Sequence, residues 1–413
     1  MPATSDADPV LLDAALLRQN WSYRHFLSSR VLSSLGFNGT SVAIGWLIYD
    51  QTRSAFALGL IGLVQFLPVL LLTFVVGQVA DRYDRRRIGL ICQLMQAATV
   101  GTMALGIWQG WLNTTGIFIG MALLGCAVAF ERPTMAALLP GIVPASMLQR
   151  AIATSTSFMQ AAIIVGPALG GVLYGVGPVV PFAVSALFFV AASVNVIRIE
   201  RPVALRNREP VTLHSVFAGV GFIKSQPIIL GTLSLDLFAV LLGGITSLLP
   251  IFARDILHAG PWALGFLRAA PAVGALAMSI WLARHRLERN VGRTMLIAVA
   301  VFGIATIVFA LSTSIVLSVV ALMVLGASDT ISVVNRSSLV QMLKPDEMRG
   351  RVNAVNSLFI GASNQLGDFE SGMVASLLGP VGAGIVGGVG TIAIVIAWAA
   401  LFPGLRKVQS LSG

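Results

Sequence analysis

Eight charged side chains stand inside long apolar runs of this sequence: Glu131, Arg132, Asp236, Arg268, Asp329, Arg336, Asp368 and Glu370. Charge within hydrocarbon is costly, so such residues pair with one another or line a water-filled path. The acids are candidates for reversible protonation, the arginines for ion pairing or for holding an anionic group. Asp329 and Arg336 are seven apart, which puts them on one helix face. Asp368 and Glu370 are two apart and point about 200° from each other. One of the two faces a cavity and the other a neighbouring helix, and we assign the cavity to Asp368. Asn353, Ser357, Asn364, Asp368 and Ser371 follow spacings of three, four and seven and form one polar stripe. For each embedded acid two roles stay open: carrier of a coupling proton, or structural partner of Arg132, Arg268 or Arg336. Arg30, Arg268 and Arg336 are also candidates for binding an anionic group on a cargo molecule.

Other chemistry is not written here. No Ser-His-Asp set, Walker loop or dinucleotide fingerprint is visible. His25, His214, His258 and His285 lie at or outside the ends of the apolar runs, and Cys92 and Cys126 lie within them. No metal cluster, exposed disulfide, cofactor or enzymatic activity is therefore expected, and work done by this chain would draw on an ion gradient, protons in the first place.

The elements that must position these residues are membrane helices. Of 413 residues, 56% are hydrophobic and 11% charged, with a mean hydropathy of +0.87. A soluble chain of this length needs far more polar surface. A span needs about 20 apolar residues, and twelve such runs are predicted. The first six fall at 25–49, 56–79, 88–110, 112–138, 150–175 and 178–198. The second six fall at 227–252, 262–283, 293–313, 315–341, 352–377 and 380–402. The formal charge of +10 is mainly a topology signal. Basic residues crowd the loops on the side of the termini, whereas the opposite loops hold only Arg53 and Arg254. The positive-inside rule then predicts both termini in the cytoplasm. Membrane lipid, and not nucleic acid, is the expected environment of that charge.

The two halves repeat. At an offset of 201, Gly125 meets Gly326, Pro144 meets Pro345, Met147 meets Met348, Arg150 meets Arg351, Gly166 meets Gly367 and Gly171 meets Gly372. At an offset of 206, Ala57-Leu58-Gly59 meets Ala263-Leu264-Gly265. The predicted fold is an all-α membrane protein of two six-helix bundles: residues 1–198, a cytoplasmic linker at 199–216, and 217–413. Parallel repeats of this kind are common in secondary transporters, whose sites lie between the halves.

Two motifs identify the family. The loop after the second span carries Gly77, Asp81, Arg82, Arg85 and Arg86 in the order Gly77-Gln78-Val79-Ala80-Asp81-Arg82-Tyr83-Asp84-Arg85-Arg86-Arg87. It resembles the signature loop of the major facilitator superfamily, G-x-x-x-D-R-x-G-R-R, with Asp84 where glycine is commonest. The fifth span carries Gly166-Pro167-Ala168-Leu169-Gly170-Gly171. It resembles the G-P-x-x-G-G motif of the exporter branches, with Ala162 in place of an upstream glycine. Over nearly the whole chain, the stretch from Gly361 to Gly372 and the loop from Phe252 to Gly265 included, the sequence resembles the branch that includes the enterobactin exporter and related drug-efflux proteins. The resemblance implies a cytoplasmic gate in which Asp81 meets the start of the eleventh span, near Arg349 to Asn353. It also implies a monomeric, multi-pass protein of the bacterial inner membrane. The expected activity is proton-coupled export of a small amphipathic molecule, a siderophore-like metabolite or a drug, by alternating access. The alternative is transport of lysophospholipid or another lipid by the same fold.

Overall fold

The computed structural model describes residues 17, 19–200, 220–285, 290–343 and 348–407. Among them the chain is helical throughout. α1 (Trp21–Thr52), α2 (Ala55–Arg82), α3 (Arg85–Gln109), α4 (Thr114–Leu138), α5 (Leu148–Val176) and α6 (Val180–Ile197) form the first group. α7 (Pro227–Leu242), α8 (Pro261–Arg284), α9 (Val291–Leu311), α10 (Ile315–Leu343), α11 (Arg349–Leu401) and the short α12 (Pro403–Lys407) form the second. Among the described residues, eleven helices are long and apolar enough to cross a membrane. In hydrocarbon only a helix or a closed barrel satisfies its own backbone, which is why these runs fold as they do.

Local chemistry sets the ends. Asn20, Ser54, Asp84 and Asn113 each cap a helix by accepting a hydrogen bond from a backbone N–H in its first turn. This explains Asp84 in the signature loop: its carboxylate accepts from the Arg86 N–H at 2.9 Å and starts α3. α11 is unusually long, at 53 residues, and is interrupted at Gly379, whose φ of 75° only glycine adopts readily. Pro380 follows and cannot continue the preceding helix. α7 runs on past Leu242 through a 3-10 turn and a wide π turn, Phe252–Ile256, to the far face.

Within the first group α1 packs on α5 and α6, α3 on α4 and α6, and α2 on α4. Within the second, α8 packs on α10, α9 on α10 and α11, and α7 on α11. The groups meet through α5 with α8 and α2 with α11. The ends of the described chain lie on one face, here the terminal face. Asn20 donates to the Ile142 carbonyl beside α5, and Gly292 at the start of α9 abuts Leu405.

The repeat recurs in the contacts. A Cβ on Gly125 would strike Gln65, and one on Gly326 would strike Pro271. Those pairs are related by the same offsets of 201 and 206. Between the groups, a Cβ on Gly372 would lie 2.6 Å from the Gly59 Cα, and one on Gly171 would lie 2.9 Å from the Gly265 Cα. These too are repeat mates. Both seams lie near the far face. Toward the terminal face the packing loosens. The far part of α5 buries Ala162, Gly166, Pro167, Gly170, Gly171 and Tyr174, the terminal part only Ala151 and Ser155. In α2 the far part buries Ala57, Leu58, Gly59, Gly62 and Phe66, and among the described side chains the terminal part buries only Val76. Lipid-side exposure does not vary with depth, so this contrast marks the side on which the groups part.

Added methyl groups in the seams are therefore expected to be costly. Gly171→Ala and Gly372→Ala are each expected to lower stability by about 1–3 kcal/mol through overpacking. Gly77→Ala, whose Cβ meets nothing within 4 Å, is expected to be neutral. Thermal unfolding in detergent checks this, and equal loss in all three would contradict it.

Candidate functional site

The embedded charges resolve into separate sites. Glu131 of α4 is buried and accepts three hydrogen bonds: from Ser33 Oγ at 2.7 Å, Gln93 Nε2 at 3.1 Å and Gln96 Nε2 at 2.6 Å. A carboxylate only accepts, and all three partners donate, so α1, α3 and α4 close around one charge without a cation in contact. Arg132, the next residue, is exposed and lies 5.4 Å over the Phe37 ring of α1. Arg30 lies 5.7 Å over Phe26. Sequence reasoning named Glu131 but not Ser33, Gln93 and Gln96, because neutral amides and hydroxyls in apolar runs look like packing residues.

In the second group Asp236 of α7 forms a buried ion pair with Arg336 of α10, their side chains 9% and 4% exposed. Arg336 thus pairs across helices and not with Asp329. Seven residues along a helix separate two side chains by about 10 Å, so sharing a face does not bring them into contact. Asp329 forms no hydrogen bond or ion pair among the described residues. It lines a cavity of about 10 Å³ with Asp236, Phe302, Ser328 and Ser332. Ala239, Val240 and Val299 complete its lining, so it is half polar and half apolar by residue and near the lower limit for one water.

Asp368 lies at the seam. Its Cβ is 3.3 Å from where a Cβ of Gly62 in α2 would stand, and Ser247 Oγ donates to its backbone carbonyl at 3.1 Å. Arg268 of α8 is close enough for the two charges to act on each other, without ion-pair contact. Arg268 in turn reaches toward Gly45 of α1. Glu370, partly buried, accepts from the Ser371 hydroxyl at 3.4 Å, a weak bond. Asn364 is exposed and donates to the Ile360 carbonyl of its own helix. The side chains of Asn353 and Ser357 lie outside the described residues, so the polar stripe is followed only from Asn364 onward.

The fifth-helix motif divides its contacts. Gly166 and Gly170 face Asn38 and Gly39 of α1, whereas Pro167 and Gly171 face Gly265 of α8. The signature loop is described in part. Arg85 donates to the Ala137 carbonyl at 2.8 Å and Arg86 to the Ile197 carbonyl at 3.2 Å. These are the C-terminal carbonyls of α4 and α6, where cations are favoured. Arg82 is exposed. Among the described residues nothing lies within 4 Å of a Cβ added at Gly77, in keeping with the loose packing on the terminal side. The side chain of Asp81, and those of Arg349 and Asn353 expected near it, lie outside the described residues.

One constellation escaped sequence reasoning. On the far face Arg254 pairs with Asp50, Arg53 approaches Asp255 at 3.8 Å, and the Tyr49 hydroxyl donates to Asp255. Arg254 also lies over Trp46 and Arg53 over Tyr49. The links are reciprocal: each group supplies one acid and one arginine. All four charged side chains are partly exposed, so each pair contributes only about 0–1 kcal/mol. Their joint effect is to fix how the two groups meet. The signal was present in the sequence, since Arg53 and Arg254 are the two basic residues that break the inside-loop rule.

Comparison with known proteins agrees with this architecture. Residues 14–411 match the transmembrane secretion effector family. The enterobactin exporter EntS of Citrobacter koseri is 24% identical over 97% of this chain and 96% of its own. The multidrug efflux pump Tap of Mycobacterium tuberculosis is 25% identical over 86% of this chain and 87% of its own. Among solved structures, a bacterial homologue of the human lysosomal transporter Spinster superposes with a TM-score of 0.72, at 14% identity over 94% of this chain and 96% of that one. A bacterial homologue of the iron transporter ferroportin gives 0.70, at 17% identity over 94% and 98%.

The two acids near Arg336 are expected to differ on neutralisation. Asp236→Asn leaves a buried guanidinium unpaired and should cost about 3–5 kcal/mol. Asp329→Asn removes a charge that has no partner among the described residues and should leave stability unchanged or raised. Thermal unfolding of the two variants checks this, and the reverse order would contradict it.

Proposed function

The chain belongs to the transmembrane secretion effector family, and from that premise we propose that it is a proton-coupled exporter of small amphipathic molecules working by alternating access. It is a multi-pass membrane protein, and its family includes bacterial exporters of the inner membrane. We take the break at Gly379 to divide an eleventh from a twelfth span, and residues 1–198 and 217–413 as the two bundles. The terminal face, rich in arginine, is then cytoplasmic, and the transporter acts as a monomer without cofactor or catalytic activity.

The observation that carries the coupling is the position of Asp368 beside Arg268 at the seam between the bundles. Ionised, Asp368 offsets the Arg268 charge where little water reaches. Ionised, it also gives a donor group of the cargo a charged acceptor, which a bound proton removes. A proton and cargo then exclude each other at this place, and exclusive occupancy of the two states that cross the membrane is what antiport requires. The glycine seams and the Asp50–Arg254 and Arg53–Asp255 pairs hold the outer side shut while cargo enters from the cytoplasm. Asp329 and Glu131 are secondary candidates. Asp329 has the cavity but lies within one bundle, and Glu131 already has three donors.

Inverted membrane vesicles energised by respiration test the reading. Asp368→Asn is expected to abolish proton-driven drug accumulation while counterflow exchange of the drug without a gradient persists. Full proton-driven accumulation by the variant would remove Asp368 as the coupling site. Insensitivity of the wild type to an uncoupler would remove proton coupling itself.

A further inference from the structure

Two guanidiniums on the first bundle have no anion in contact among the described residues. Arg30 of α1 and Arg132 of α4 form no hydrogen bond or ion pair among the described residues, yet each is held in place over an aromatic ring. They lie close enough to repel each other electrostatically. The one acid near them, Glu131, attracts both, but its carboxylate oxygens are taken by Ser33, Gln93 and Gln96. The local balance is therefore two positive charges against one committed negative charge.

Their placement faces the space between the bundles. At about 100° per residue on a helix, Arg30 and Phe37 lie within roughly 60° and 80° of Gly45. Gly45 is the residue of α1 that meets Pro250 and Arg268 of the second bundle. Arg132 reaches from α4 onto the α1 ring of Phe37, which closes the groove between these helices on the same side. Both arginines sit in the terminal half of their helices, where the bundles part. A guanidinium facing lipid at that depth would be costly, so the exposed Arg132 fits a wet cavity. Their contacts with Phe26 and Phe37 engage none of the five N–H donors of either guanidinium, and these donors can take an acidic group in the forked geometry arginine favours.

We propose that Arg30 and Arg132 form an anion-binding wall of the transport cavity, so that preferred cargo is an amphipathic molecule bearing a carboxylate, sulfonate or phosphate. This rests on the transport reading above and narrows it to a substrate class. The same chemistry is met by a soluble organic acid or by the phosphate of a single-chain lipid. Arg30 and Arg132 act here as cargo-binding residues, separate from the coupling pair.

Three probes of one shape and different charge test it: 1-pyrenebutyrate, its methyl ester, and 1-pyrenebutylamine. Binding to purified protein in nanodiscs is read by fluorescence polarisation. The acid is expected to bind at least about ten-fold more tightly than the ester or the amine, as a charge-assisted hydrogen-bonded pair implies. Arg30→Gln and Arg132→Gln are expected to erase that preference, and Arg132→Lys to keep part of it, with thermal unfolding showing all variants folded. Displacement of the acid by lysophosphatidylglycerol but not by benzenesulfonate would identify the anion as a lipid phosphate, and the reverse a soluble acid; either supports the site. Equal binding of all three probes, preference for the amine, no saturable binding of the acid, or an acid preference that survives both glutamine variants overturns it. Uncoupler-sensitive uptake of the ester or amine into proteoliposomes, together with any of those results, would leave proton-coupled transport standing and remove only the anion site.

Discussion

Gly171 lies against Gly265, and Gly59 against Gly372, with no side chain between them. Lipid chains are as apolar as leucine, so in a bilayer no hydrophobic effect drives helices together, and close packing of small residues does so instead. The seams use this twice, through contacts related by the internal repeat. Everything else in the architecture is arranged around them. The helices that meet there, α5 with α8 and α2 with α11, join the two groups, and the cross-group ion pairs of the far face flank the same contacts. A seam made of bare backbone is tight and holds few specific bonds.

Charge is handled differently in each place where it enters the membrane. Glu131 is surrounded by neutral donors, Asp236 is matched by Arg336, and the four far-face charges form partly hydrated pairs. These arrangements satisfy the charges they contain and serve the fold. Asp368 with Arg268 at the seam, Asp329 at its small cavity, and Arg30 with Arg132 on the first bundle are less complete. Incomplete pairing in a low-dielectric setting makes a group responsive to a proton or an anion. This is the physical reason for seeking mechanism in these residues.

Much of this was legible in the sequence. The offsets of 201 and 206 identified Gly171 with Gly372 and Gly59 with Gly265 before any contact was known, because the repeat conserves the glycines that packing requires. The positions of the helices followed from hydropathy to within several residues, and the break at Gly379 falls between the predicted runs 352–377 and 380–402. Partners across helices were less legible. Arg336 shares a face with Asp329, yet its partner is Asp236, about a hundred residues away in sequence. The cluster around Glu131 is built from residues with no periodic signal. The far-face pairs were visible only as two arginines on the wrong side of a charge rule, and their pairing depends on how α1 and the π turn of α7 end. Side-chain chemistry on a single helix follows from spacing, but contact between helices depends on rotations that spacing does not encode.

The central claim is that the two groups of helices meet at the far face through seams that open as a unit during transport. Spin labels at Gln109→Cys, at the end of α3, and Ser314→Cys, before α10, one on each group at that face, report it directly when Cys92 and Cys126 are replaced by serine. Distances would be measured by pulsed electron resonance in nanodiscs across pH, with and without transported drug. The account predicts two distance populations, with the longer one exchanging against the shorter as proton and drug compete. A single unchanged distance under every condition, in labelled protein that still transports, would contradict it.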